Sequence, residues 1–367
     1  MKNLSKTILT YSLIIFILGI QSCGSSSDKN IEQIKIGAIL PLTGPAASAG
    51  VDSQRGLSLA VESINDTISK YKDTEIKLEI KDSKAKANEA VSALNQLNLS
   101  APPNIIYSQL SNVSLAIKGI TEKEEQILVA VSGAENLLEN TNFVYRNYIR
   151  PKYYADKTSD IISDSLNIEE VGIFYPNSEF GLSIKENIVN SFMNNRIGIA
   201  FKTTYDSEGK NFKNTILESL NGRSQLQNIY VIGVGTSLGL IIKQLRENGY
   251  KGNIIGGIEL PYPDVTNLLP QKIRHNIYYV DFKFDPENPL SEKGTKFVSS
   301  FKNRYGSLPT TSAVIAYDAI NIFIDHVINE NPNAEKLNQD HVYEGASGEI
   351  NITDNEIYYQ LALKNLQ

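Results

Sequence analysis

Residues Gly235-Thr236-Ser237-Leu238-Gly239 fit the pattern G-x-S-x-G, after a predicted strand and at the start of a predicted helix. In that setting the pattern describes a nucleophile elbow, and the chemistry would be acyl transfer through a serine hydroxyl. Such a serine needs an imidazole within hydrogen-bond reach and a carboxylate that orients the ring, in the chain order serine, acid, histidine. His275, His326 and His341 all lie downstream, and Asp325 or Asp340 would serve as the acid. The same residues have a structural reading, because glycine supplies positive φ in tight strand-to-helix turns and serine or threonine caps helices. An exported serine esterase using Ser237 is therefore one expectation and a plain turn is the other. Gly233 to Gly239 also approaches G-x-G-x-x-G, but the third glycine comes one residue late, and no acid ends a following strand where a ribose would need it. No phosphate-loop or H-E-x-x-H signature is present. One cysteine and three histidines are too few for a structural zinc site, and one cysteine cannot form an intramolecular disulfide. No metal or cofactor is expected.

A different chemistry is written at the N-terminus. Lys2 and Lys6 precede a short apolar run, Tyr11 to Ile20, which is the order of a secretory leader. That run is about half the ~20 residues a membrane-spanning helix needs. Ile20-Gln21-Ser22-Cys23 follows at once and resembles the lipobox of bacterial lipoproteins, with Gln21 a less usual occupant. The resemblance implies that residues 1–22 are removed and that Cys23 is lipidated, anchoring the protein to a bilayer by acyl chains. Gly24 to Asn30 is polar and Gly/Ser-rich, as a flexible tether in 23–33 would be. Losing Lys2 and Lys6 would leave 33 cationic against 41 acidic side chains, a net charge of −8.

The rest of the chain must position whatever chemistry there is. With 367 residues, 41% hydrophobic and 21% charged, it is long enough for two domains and too ordinary in composition for wholesale disorder. Its formal charge of −6 gives no cationic footprint for nucleic acid. From Ile34 onward short β-branched runs alternate with segments of helical period, a rhythm that argues for α/β architecture with parallel sheets covered on both faces. Strands are expected at 34–40, 75–82, 104–107, 127–131, 170–175, 197–201, 228–234 and 253–256. Helices are expected at 53–69, 292–305 and 312–329 among others. After Asp281 the rhythm changes, no linker marks a clean boundary, and the chain is expected to cross between domains more than once.

Particular segments carry a family resemblance. IKIGAILPLTGPAASAGVDSQRGLSLAVESIN (Ile34 to Asn65) resembles the opening of type I periplasmic solute-binding proteins of the leucine/isoleucine/valine-binding group. Further similar pieces follow in order: Ser111 after the third strand, Val131 to Ala134 after the fourth, Phe143 to Arg146 before a crossover, Tyr175 to Gly181, Gly256 to Glu259, Ser312 to Ala319, and Tyr343 to Asp354. The resemblance implies two doubly wound parallel-sheet lobes joined by hinge crossovers, 34–149 plus 281–335 in the first and 150–280 plus 336–367 in the second. It implies no chemistry on the ligand. A small polar solute, an amino acid, amide or relative, would close the cleft and pass to an ABC permease in the membrane. Ser111, Ser132, Gly133 and Ala134 match the family's carboxylate-binding positions, and Phe180 and Glu259 match its aromatic and acidic positions on the second lobe. Glu135 stands where a threonine is common, Arg150 brings a positive charge to the hinge side, and Val234 replaces a usual aromatic. A ligand sensor on the same fold is the alternative, since both roles need only a bistable cleft.

Overall fold

The computed structural model describes residues 33–44, 46–66, 74–99, 101–329 and 341–366. The expected leader, Cys23 and the tether up to Glu32 lie outside the described residues.

Two sheets organise the chain. The first contains β1 (Gln33–Leu40), β2 (Glu75–Asp82), β3 (Ile105–Gln109), β4 (Ile127–Val131), β5 (Val144–Arg146), β11 (His341–Gly345), β12 (Gly348–Thr353) and β13 (Glu356–Tyr358), in the order β11-β12-β13-β5-β4-β3-β1-β2. The second contains β6 (Glu170–Pro176), β7 (Gly198–Tyr205), β8 (Asn228–Val231), β9 (Asn253–Gly256), β10 (Ile277–Phe282) and β14 (Leu361–Asn365), in the order β14-β10-β9-β8-β6-β7. Strands β1 to β5 and β6 to β10 are parallel within their sheets. Both sets follow the doubly wound order 2-1-3-4-5. The two lobes share this topology although the sequence contains no evident tandem repeat.

Parallel strands covered on both faces read as continuous apolar runs, and β3 (IIYSQ) and β4 (ILVAV) are buried at every residue. In the first lobe Ile39, Ile106 and Leu128 pack with Leu94 and Leu97 of helix α2 (Ala87–Asn98) and Ile117 of α3 (Ser111–Lys123). On its other face lie α1 (Ala47–Asn65) and α10 (Thr311–Asn329), which pack along each other. Helix α10 is apolar and long enough to cross a membrane by composition, but it is mostly buried in the body. Gly56 permits its approach to α1, because a Cβ there would stand 2.0 Å from the Ala313 carbonyl oxygen. In the second lobe Phe174, Ile229 and Ile254 pack with Ile241, Ile242 and Leu245 of α7 (Gly235–Glu247).

Three crossovers join the lobes, and one aromatic residue ties them together. Residues 147–150 lead from β5 to α4 (Pro151–Leu166), whose Pro151 suits the first helical position. The second crossover leaves β10 for α9 (Glu292–Tyr305), and the third links β13 to β14. Tyr359, in the third, stacks on Phe282 of the second at 4.6 Å and donates to Asn147 Oδ1 of the first at 2.7 Å.

The chain's tail corrects the expected division. Residues 341–358 do not belong to the second lobe; they extend the first sheet, and only β14 joins the second. Strand β13 pairs with β5 at Glu356 and Arg146, whose side chains form a buried ion pair at 3.4 Å.

Candidate functional site

A cleft of about 420 Å³ lies between the lobes, lined by residues that follow the carboxyl ends of strands in both sheets. Open α/β sheets bind ligands at such ends, at the point where strand order reverses. In the first lobe that point lies between β1 and β3; Ala49 and Ser111 come from the segments after them and Gln109 from the end of β3. In the second it lies between β6 and β8, which deliver Phe180 and Val234.

On the first-lobe wall Leu110 adopts φ 84°, a left-handed conformation rare for a branched residue, and no side chain caps α3. The strained turn places Ser111 at the helix start, with its Oγ buried and without a partner. Gln109 is also buried, and its Nε2 donates to Ser312 Oγ at 3.3 Å. Arg146 organises the adjacent loop from behind. Its guanidinium donates to the carbonyls of Ser132 and Ala134 at 2.8 Å each and to that of Glu135 at 3.4 Å. Held this way, the loop presents Gly133 to the cleft, where a Cβ would lie 3.1 Å from the Phe180 ring of the opposite lobe.

The second-lobe wall carries the acids, whereas Lys84 and Lys86 line the cleft from the first lobe. Phe180 is the second residue of α5 (Glu179–Asn194), whose start is capped by Ser178 Oγ accepting from Gly181 N at 3.1 Å. Glu259 follows β9 and lines the cleft. Its Oε1 accepts from the Tyr148 hydroxyl at 2.7 Å. Burial pushes the Glu259 carboxyl up to about 7, against the lowering effect of Tyr148 and its own backbone N–H, and the Asp281 carboxylate pushes the same way as burial. None of the groups acting on it is a cation. The cleft thus holds an acid whose proton is poised for displacement by a positive charge.

Hydrogen bonds between cleft-lining residues and the opposite lobe include two that tie the second lobe to the starts of α10 and α1. The Tyr262 hydroxyl lies 2.5 Å from Ser312 Oγ and accepts from Ser312 N at 3.0 Å. Asp264 Oδ2 accepts from Ser48 N at 3.0 Å, in the first turn of α1, whose own N-cap residue Ala46 supplies no side-chain bond.

Of the residues singled out in the sequence, Ser111, Gly133, Phe180, Glu259, Val234 and Ser237 line the cleft together. Ser132 and Ala134 stand behind the wall, the Ala134 N–H donating to Ser132 Oγ at 3.2 Å. Glu135 is exposed outside the cleft lining, with Oε2 3.4 Å from Asn187 Nδ2 of α5. Arg150 is half-exposed and pairs with Glu356 at 3.6 Å, away from the cleft. Ser237 Oγ donates to the Val234 carbonyl at 3.3 Å, and among the described residues no histidine lines the cleft, so the triad lacks its base. The elbow is a turn, with Gly235 at φ 59°. Gln109, Tyr148, Tyr262 and Asp264 were missed. Tyr148 sits inside the crossover segment already noted, and Gln109 lies two residues before Ser111, so proximity to marked positions was the available signal.

The profile described as periplasmic binding protein matches residues 33–355. The Leu/Ile/Val-binding protein homolog 3 of Brucella melitensis is 23% identical over 229 residues, 61% of this chain and 61% of that protein. The chain therefore aligns with somewhat less than two thirds of that relative. The leucine-binding protein LivK of Thermotoga maritima superposes with a TM-score of 0.82 at 20% identity, covering 91% of this chain and 95% of the other. LivJ of Streptococcus pneumoniae, a branched-chain amino acid transporter substrate-binding protein solved with isoleucine, gives 0.82 at 21% identity, covering 91% and 96%. With two doubly wound lobes around a cleft, and a family profile spanning nearly the whole described body, the chain belongs to the periplasmic binding protein family, whose members bind solutes rather than transform them.

Proposed function

We propose that this protein captures a small zwitterionic solute, an α-amino acid or close relative, outside the cytoplasmic membrane and delivers it to an ABC permease, tethered by a lipid on Cys23. The observation that carries the solute class is Glu259, a cleft carboxyl held near neutrality for want of a cation. An ammonium group beside it would stabilise the charged carboxylate and be recognised by it. Ser111 Oγ, unpartnered at the uncapped start of α3, offers a donor where a carboxylate would also meet the positive end of the helix. The remaining wall is largely apolar, with Ile258, Ile315 and Val234 among its residues, which suits a carbon skeleton between two polar ends. The amino-acid ligands of LivK and LivJ agree with this reading.

Titration calorimetry of the body lacking residues 1–23 against the proteinogenic amino acids tests it. At least one should bind, and Glu259→Gln should weaken that binding more than tenfold, about 1.4 kcal/mol or more. Binding of carboxylates without an amine, with Glu259→Gln unchanged, would rule the zwitterion out. Metabolic labelling with a palmitate analogue tests the anchor, which predicts incorporation in the full chain and none in Cys23→Ala.

A further inference from the structure

Within the zwitterion reading, the first-lobe wall contains an acceptor that neither end of an amino acid needs. Gln109 is 4% exposed, it lines the cleft, and its Oε1 has no hydrogen-bond partner. A buried amide oxygen left without a partner is destabilising, and such groups in native proteins call for an explanation. The other half of the amide is fixed. Nε2 donates to Ser312 Oγ, which is held by the Tyr262 hydroxyl at 2.5 Å, and the Ser312 carbonyl accepts from Ser53 Oγ at 3.4 Å. Tyr262 belongs to the opposite lobe, so this orientation is set when the cleft is shut and Oε1 is then left unsatisfied beside the solute space. Glu259 is already available to the ammonium and Ser111 to the carboxylate.

We propose that Gln109 is a specificity-determining residue whose Oε1 accepts a hydrogen bond from a donor on the solute's side chain, so that the preferred solute carries a hydroxyl or amide there rather than a purely aliphatic group. This rests on the amino-acid reading above. A site built around a buried hydrogen-bonding group discriminates against the analogue that leaves it unpaired far more strongly than an apolar pocket discriminates by size.

Near-isosteric pairs separate the possibilities: threonine against valine, and asparagine against leucine, titrated calorimetrically into the body lacking residues 1–23. At least one hydroxyl or amide member should bind more than tenfold tighter than its aliphatic partner. Gln109→Met should erase that preference, bringing the two members of each pair within about threefold of each other. The wild-type ratio needs no variant, so a poorly folding Gln109→Met would not remove the test. Aliphatic members binding as tightly as their polar partners, or a preference that survives Gln109→Met, would overturn the proposal. If no member of either pair binds and no other amino acid does, the zwitterion reading itself fails and takes this one with it.

Discussion

Glu259 is an acid placed where its own charge is unwelcome, and the pH dependence of the empty protein should reveal it. Below about 4.5, its ordinary value, both folded and unfolded chains carry the proton and the residue is neutral for stability. Between there and about 7 the unfolded chain releases the proton while the folded cleft keeps it. The unfolded state then binds fewer protons, so stability falls as pH rises, and the loss is complete above about 7. Urea midpoints should therefore show wild type losing stability relative to Glu259→Gln between about pH 5 and pH 7.5, if the folded value is near 7 as the cleft implies. An unchanging difference would mean that Glu259 is ionised in the empty cleft. Arg146 is the contrasting case, since burial lowers its pKa while Glu356 and three loop carbonyls retain its charge.

The packing of α1 on α10 depends on a missing side chain. With the Ala313 carbonyl oxygen 2.0 Å from where a Cβ would sit, Gly56→Ala has no small adjustment open to it. One helix must move, and destabilisation of about 1–3 kcal/mol or more is expected by urea denaturation. Gly56 was visible in the sequence as part of a resemblance, but its reason was not, because Ala313 is remote along the chain. Elsewhere legibility followed local pattern. Helix α9 runs from Glu292 to Tyr305 as its periodicity implies, with Ser291 capping its start and Gly306 ending it at φ 70°. Strands β1, β4 and β9 announce themselves as short apolar runs, and β2 (EIKLEIKD) as an alternation of apolar and charged residues. Strand β5, only three residues long, is too short to carry a period, and β10 (IYYVDF) is interrupted by half-buried tyrosines and an acid. Cleft residues such as Ser111 and Glu259 were marked in the sequence by the family resemblance, and both come to line the cleft from positions after strands. The Asp264 to Ser48 bond was not, since it links segments 216 residues apart through opposite lobes.

At the scale of the molecule that bond makes the end of one lobe's helix depend on the other lobe's position. Replacing an N-capping group by alanine costs about 0.5–2 kcal/mol. Here the cost falls on the shut form alone, so Asp264→Ala should weaken solute affinity about two- to thirtyfold, while Asp264→Asn, which can still accept the bond, stays near wild type. Calorimetry with the amino acid that binds wild type checks this, and an unaffected alanine variant would mean that Asp264 plays no part in closure. The sheet order has another consequence, in the making of the protein. Glu356 meets Arg146 across 210 residues, and until it does β5 is an open edge beside a guanidinium without its carboxylate. The same late segment delivers β14 to the border of the second sheet. During synthesis, then, both sheets wait for the last strands, and a chain interrupted anywhere before Glu356 leaves the borders at β5 and β10 unpaired and open to other strands.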